Sequence, residues 1–331
     1  MTDNLMKKVF ETPFQPQVKS DNCTTGIMLD VIIALIPAAA AAVRQYGADE
    51  LLLIAVSVVS AVFYEWLFEK IAGKSCSVGD LSACVTGLLL ALTLPPDCPL
   101  WLPLIGNFFA VVFAKQLYGG IGCNFLNPAL FGRAVLLLSY PVIMSTWSVP
   151  ASLSPFIDGA TMATPLSGAE MPSWFSLKLS FLGAVPGSLG ETSVIALLAG
   201  GIYLLVRKVI SWRIPVMYIG TAAALSLVFS GDGYSGIEWM LYNICSGGLL
   251  LGAIFMATDY STSPATPKGR IFYGIGCGVL TVILRRFGTY TEGVTFAILT
   301  MNLFSWAIDK ACRRVPFGTV KAAAGSSREG T

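Results

Sequence analysis

The stretch "GLLLALTLPPD", Gly87–Asp97, opens like "GLLLGAIFMATD", Gly248–Asp259. Both are apolar runs that finish on polar or helix-stopping residues, and the first halts at Pro95-Pro96, which cannot continue a helix. A bilayer core needs about 20 mostly apolar residues per helix. The runs that qualify are 27–46, 51–72, 81–94, 100–118, 127–147, 192–209, 214–230, 239–257, 270–284 and 292–309. The two quoted stretches fall in the third and eighth runs. Five spans apart, they cross the bilayer in opposite directions. That is the signature of an inverted repeat, in which interrupted helices at matching places point to a site at the repeat interface. The expected fold is therefore an all-α integral membrane protein of about ten transmembrane helices in two inverted five-helix repeats. Its parts are an N-terminal segment 1–25, a first repeat 26–149, a loop 150–191, a second repeat 192–310 and a tail 311–331.

Composition supports the membrane reading. The chain has 331 residues, 55% of them hydrophobic and 12% charged, and its mean hydropathy is +0.71. A soluble chain carries about 25% charged residues. A net charge of +2 gives no electrostatic footprint for nucleic acid. The N-terminal "MTDNLMKKVFETPFQPQVKSDN" has no apolar core followed by a small-residue cleavage site, so internal helices are expected to direct insertion.

Charge sets the expected orientation. With both termini inside, sixteen of the 21 Lys and Arg fall on the cytoplasmic side, Lys115 among them. Arg44, Lys178, Arg285 and Arg286 fall outside, and Arg133 lies within a span. Such an excess follows the positive-inside rule, with the Arg285-Arg286 pair its one conflict. The long loop 150–191 then faces the outer side.

The eight cysteines are scattered with no C-x-x-C pair, and histidine is absent. Imidazole-bound haem, His-ligated zinc and a His general base are thereby excluded, and no metal site is expected within this chain. A free thiol in an apolar run packs as a small hydrophobe.

Several polar segments are candidates for chemistry. "YGGIGCNFLNPALFGR", Tyr118–Arg133, leads into the fifth run with glycines that allow close backbone approach, two amides in Asn124 and Asn127, and Pro128 suited to a first helical turn. Free N–H groups at such a start hold polar ligands; a plain re-entrant turn is the alternative. A charge inside the membrane costs about 2.5–3.5 kcal/mol even on the lenient insertion scale, so Arg133 should face a partner or cavity unless it snorkels to the edge. Glu191, in "PGSLGETS", complements the dipole of the helix it precedes. Asp259, in "MATDYSTSPATPKGR", is placed to cap, to bind a cation or to hydrogen-bond a ring system; loop formation is its other reading. In the loop, "FIDGATMATPLSG", Phe156–Gly168, is small, polar and threonine-rich between apolar runs. No histidine or second carboxylate lies close enough in sequence to activate Thr161 or Thr164 as a nucleophile. A slender exposed segment of this kind suits modification by another enzyme, against the alternative of a Ser/Thr turn.

"DGATMATPL" resembles the flavinylation motif D-x-x-[ST]-x-[AS]-T, with Asp158 first, Thr161 the Ser/Thr, Ala163 the small residue and Thr164 the acceptor of FMN through its phosphate. Together with "GGIGCNFLNPALFGR", "GSLGET", "WRIP", "FMATDYSTSPATPKGR" and "EGVTFAILTMN", it makes nearly the whole chain similar to the RnfD family, the D component of the Rnf complex. The resemblance implies a urea-transporter-like fold with covalent FMN on the outer side and a riboflavin within the membrane domain. It implies a component of an ion-translocating ferredoxin:NAD+ oxidoreductase in a bacterial or archaeal cytoplasmic membrane. Its partners would be Rnf subunits A, B, C, E and G, a flavin transferase for maturation, lipid, and Na+ or H+. Asn124, Asn127, Arg133 and Asp259 become candidates for the second flavin or a polar site. No residue of the chain is expected to be catalytic, since the flavins carry the electron chemistry. The N-terminal "ETPFQPQVKS" lacks the histidine of the family's S-P-H-like start. The related NqrB component of the sodium-pumping NADH:quinone reductase is the neighbouring reading, and a passive small-solute channel is the reading from another class.

Overall fold

A computed structural model describes residues 23–74, 76–148, 187–229, 236–288 and 293–312, and the backbone of 161–162. Each of the ten apolar runs carries helix. The first half contains α1 (Thr24–Tyr46), α2 (Asp49–Ala72), α3 (Ser82–Thr93), α4 (Trp101–Asn107) and α5 (Pro128–Ser139). The second contains α6 (Val194–Val206), α7 (Arg213–Val228), α8 (Gly236–Cys245), α9 (Leu249–Leu251), α10 (Pro267–Phe287) and α11 (Gly293–Ala311). By length and composition α1 and α2 are long and apolar enough to cross a membrane, and α8 with the segment after it makes a third if that bent pair is one span.

The departures from the expected spans have local causes. The run 127–147 stops being a regular helix at Ser139, because Pro141 has no N–H for the ladder and its ring crowds the carbonyl four residues back. A single turn, Pro141–Met144, follows. Then β1 (Trp147–Ser148) pairs antiparallel with β2 (Thr161–Met162), so the all-α expectation has one small exception. The run 100–118 winds from α4 into a π-helix, Phe108–Lys115. The run 239–257 breaks: α8 and the segment Leu249–Met256 meet at 64°. α9 itself continues as a π-helix, Gly252–Met256. Gly248 sits at the break with φ +64°, a conformation that side-chain-bearing residues rarely adopt.

The two stretches that open alike are both central. Val85–Pro96 and Leu249–Ala257 are buried throughout, as expected of elements that are apolar all round. They meet across "GSLGET". The amide of Leu189 donates to the carbonyl of Leu94 at 3.1 Å, and a Cβ on Gly190 would lie 2.8 Å from both Leu92 O and Leu251 Cδ2. α1 packs on α6 and α5 on α11, closing the halves against each other.

Within the membrane, helices are held by packing and by side-chain hydrogen bonds. Asn107 ties α4 to α2 by donating to Ser57 O, Ser57 Oγ and Ser60 Oγ at 2.8, 3.0 and 2.9 Å. In the second half Tyr218 Oη and Thr281 Oγ1 lie 2.7 Å apart between α7 and α10, and Tyr273 donates to Asn302 Oδ1 between α10 and α11. Arg285 resolves the conflict in the charge pattern. Its guanidinium donates to Asn243 O, Ser246 O and Gly247 O at 2.6, 2.9 and 2.9 Å. Those carbonyls are the ones left unbonded where α8 ends, and a cation there also meets the negative end of the helix dipole.

Cys98 and Cys277 are part of the apolar core. Burial pushes the thiol of Cys98, in the loop after α3, up to about 12, so it stays protonated. Among the described residues no three His, Cys, Asp or Glu side chains converge to hold a metal.

Candidate functional site, a polar cavity between the halves

Helix starts build this site. Asn127 caps α5, its Oδ1 accepting from Leu130 N at 3.3 Å, with Pro128 as the first helical residue. Its Nδ2 crosses to the other half and donates to Met256 O at 3.1 Å, at the end of the π-helix after α9. Asp80 holds the start of α3 by accepting from Ser82 N at 2.8 Å. The beginnings of α1, α3 and α5, the end of α6 and the turn after Met256 thus surround one cavity. Its free space is about 780 Å³ counted out to the open mouth, and about 90 Å³ of it admits the centre of a water molecule. The larger figure takes in open solvent, so the smaller one measures the cavity itself.

The walls are mixed in the way that orients a ligand. Ile27, Met28, Val85, Leu89, Ile210 and Phe255 give apolar surface, while Lys115, Asn124, Asn127, Thr258, Asp259 and Ser261 give polar groups. Three of the four sequence candidates, Asn124, Asn127 and Asp259, therefore come together although they belong to opposite halves of the chain. Arg133 does not join them. It is buried further along α5 and lies off the lining, so snorkelling into solvent does not describe it either. Asp259 also serves its own loop: Ser261 N and Oγ donate to it at 3.3 and 3.0 Å and Thr262 Oγ1 at 3.3 Å. Burial pushes its carboxyl above the ordinary value, and these hydrogen bonds oppose the shift.

Lys115, which the charge pattern counts on the cytoplasmic side, is a lining residue that was not among the sequence candidates. It is buried: Nζ is 2.5 Å from Glu65 Oε1 and 2.6 Å from Ser82 Oγ. Lys115 is 3% and Glu65 0% exposed. Gln116 Nε2 donates to the same Glu65 oxygen at 2.8 Å. The signal that could have found this pair is an acid, Glu65, deep in the run 51–72, and the one base of the run 100–118, each too costly to bury unpaired. Glu191 lies just before α6, as its sequence reading expects. It accepts from Ser188 Oγ at 2.9 Å, while Ser193 caps α6 through Ala196 N at 3.3 Å.

Of the flavinylation motif, Asp158, Ala163 and Thr164 lie outside the described residues. Thr161 is described as backbone only, paired with Ser148 in the strand pair.

The helices and the cavity define a class: a helical membrane protein with a largely apolar cavity, carrying a few polar groups, where its two halves meet. The profile of the NQR2, RnfD, RnfE family matches residues 11–318, and the chain belongs to that family. It is 40% identical to the D subunit of the proton-translocating ferredoxin:NAD(+) oxidoreductase complex of Clostridium ljungdahlii, over 95% of this chain and 98% of the relative. It is 42% identical to the D subunit of the Na(+)-translocating ferredoxin:NAD(+) oxidoreductase complex of Acetobacterium woodii, over 92% and 94%. The D subunit of the ion-translocating oxidoreductase complex of Stutzerimonas stutzeri is 37% identical over 88% and 91%.

Proposed function

We propose that this chain is the flavin-carrying membrane component of an Rnf-type complex that couples ferredoxin:NAD+ oxidoreduction to Na+ or H+ translocation. The observation that carries this reading is the family match over residues 11–318, joined by relatives that are each named the D subunit of a ferredoxin:NAD(+) oxidoreductase complex and align along almost their full length. Those names favour it over the quinone-reductase reading, which the family also includes.

Two flavins belong to the proposal. FMN is joined to Thr164 through a phosphoester, in the context Asp158, Thr161, Ala163, on the outer face. The strand pair supports this by fastening the motif's Thr161 to the end of the first half at Ser148. A riboflavin occupies the polar cavity, on the side where α1 begins, which the charge pattern makes cytoplasmic. The donor set fits a heterocycle that has both carbonyl and N–H edges. Asn124 and Asn127 offer amides, Lys115 donates only, Asp259 accepts when ionised, and the aliphatic walls suit a flat ring. When bound, the flavin supplies the capacity to accept and pass electrons. The chain's own residues bind, orient and set the charge around it. Ten spans in two inverted repeats complete the proposal. The burial of both matching stretches, each short helix starting after a left-handed residue (Leu81 and Gly248), and the packing of α1 on α6 and α5 on α11 support that symmetry.

The test is co-expression with a flavin transferase. Thr164→Ala should abolish the denaturation-resistant fluorescence of the chain and ferredoxin-driven NAD+ reduction while membrane insertion continues. Thr161→Ala should keep the acceptor. Peptide mapping that places FMN on Thr161, or labelling of the loop only from the cytoplasm, defeats the assignment.

A further inference from the structure

Lys115 and Asp259 are the charged members of the cavity lining, and they are not equivalent. Asp259 is half-buried in a turn, whereas Lys115 is buried in the π-helix after α4. Glu65, which holds Lys115, sits on α2 and is not part of the lining. A ligand in the cavity therefore meets the ammonium in front of the carboxylate that balances it. The start of α5 at Asn127 adds its partial positive charge, whereas the start of α3 at Ser82 is already met by the Asp80 carboxylate.

A lysine costs free energy to desolvate even when paired, and a well-packed apolar pair of similar volume would stabilise the fold as well or better. The Asn107 cluster shows that α2 and α4 can be joined by neutral groups. An ammonium kept on the cavity wall is thus best explained by what the cavity holds.

We infer that Lys115 sets the charge of the bound ligand: it favours the reduced, negatively charged form of a flavin in this cavity and so raises its reduction potential, with Glu65 as the residue that positions it. This inference rests on the riboflavin reading above. Lys115 Nζ is an obligate donor, so it strengthens its bond to a ring oxygen or nitrogen as that atom gains negative charge, and it offers nothing comparable to the neutral oxidised ring beyond an ordinary hydrogen bond. The electrons come from the redox chain of the complex. The hydrogen bond from Lys115 to Ser82 Oγ gives the ammonium a second anchor when it leans towards the ligand.

The experiment uses the purified complex in a Thr164→Ala background, which removes this chain's covalent FMN, and reads extractable riboflavin together with its midpoint potential. The informative variant is Glu65→Gln combined with Lys115→Met, which removes both charges and leaves none buried alone. It should retain riboflavin and bind the reduced form at least tenfold less tightly relative to the oxidised form. That ratio is a fall of about 30 mV for a two-electron couple, or about 59 mV for one electron. Lys115→Arg keeps the charge and should keep the potential near that of the wild type. An unshifted potential in the double variant overturns the inference. If the double variant loses riboflavin, retention in Lys115→Arg supports a charge requirement, and loss from both overturns it in favour of shape. Asn124→Leu and Asp259→Asn separate this from the site reading. If both keep full riboflavin at an unchanged potential, the flavin lies elsewhere and the proposed site fails. If they lose it while the double variant keeps an unshifted potential, only the role of Lys115 fails.

Discussion

The two halves of the molecule solve one problem with different chemistry. Each must fasten helices together in a bilayer and hold a short buried helix beside the midline. The first half does so with a buried ion pair, Glu65 and Lys115, backed by Gln116 and Ser82. In the second half the buried links are neutral, Tyr218 with Thr281 and Tyr273 with Asn302, and its structural cation, Arg285, is spent on the open carbonyls of a helix end. Neutral hydrogen bonds are enough to hold helices. The buried charged pair in the first half, whose Lys115 lines the cavity together with Asp259 of the second half, is therefore more than helix packing alone requires.

That contrast can be broken most severely at Glu65. Glu65→Ala strands the Lys115 ammonium and should cost about 3–5 kcal/mol, read as a large drop in the thermal midpoint of the detergent-solubilised chain. Removing both charges together should recover most of the loss. If the single and double variants are equally unstable, the pair is structural and the contrast between the halves disappears.

Arg285→Ala should have the next largest effect. It leaves three carbonyls at the α8 end short of a donor, and hydrogen bonds to charged groups contribute about 1.5–3 kcal/mol each at most, with the exposed part of the loss repaired by water. A net loss of about 2 kcal/mol is expected, with no change in riboflavin, because Arg285 is not a lining residue. Riboflavin loss at normal stability would show that the α8 break shapes the cavity.

Asp259 should give the smallest change, and its sign is fixed by its environment. Burial raises its carboxyl above the unfolded value of about 3.9, so the folded state prefers the protonated form. The stability this group contributes is complete below the unfolded value and is lost as pH rises through the folded one. Asp259→Asn should therefore be slightly more stable than the wild type at neutral pH, with the difference closing under acid. A variant less stable at neutral pH would mean that an ionised Asp259 has a compensating partner, and it would sharpen the view of the cavity as polarised from Lys115 to Asp259.

The sequence alone determined the membrane class, the ten apolar runs and where most helices lie, because hydropathy acts residue by residue and needs no neighbour. It also singled out Asn124, Asn127 and Asp259, since amides and an acid bounding apolar runs are visible without a fold. It could not fix where helices break. The end of α5 at Ser139 was legible in Pro141, but the carbonyls beside the 64° bend after Cys245 are met by Arg285 of α10, some 40 positions later in the chain, a partner no local signal shows. Nor could it place the charges. Lys115 reads only as a cation on the cytoplasmic side until Glu65 of α2 supplies the carboxylate that lets it be buried, while the reading of Arg133 as facing a partner or cavity is narrowed by its burial off the lining. Burial of a charge depends on its partner, and partners are chosen only when the helices pack.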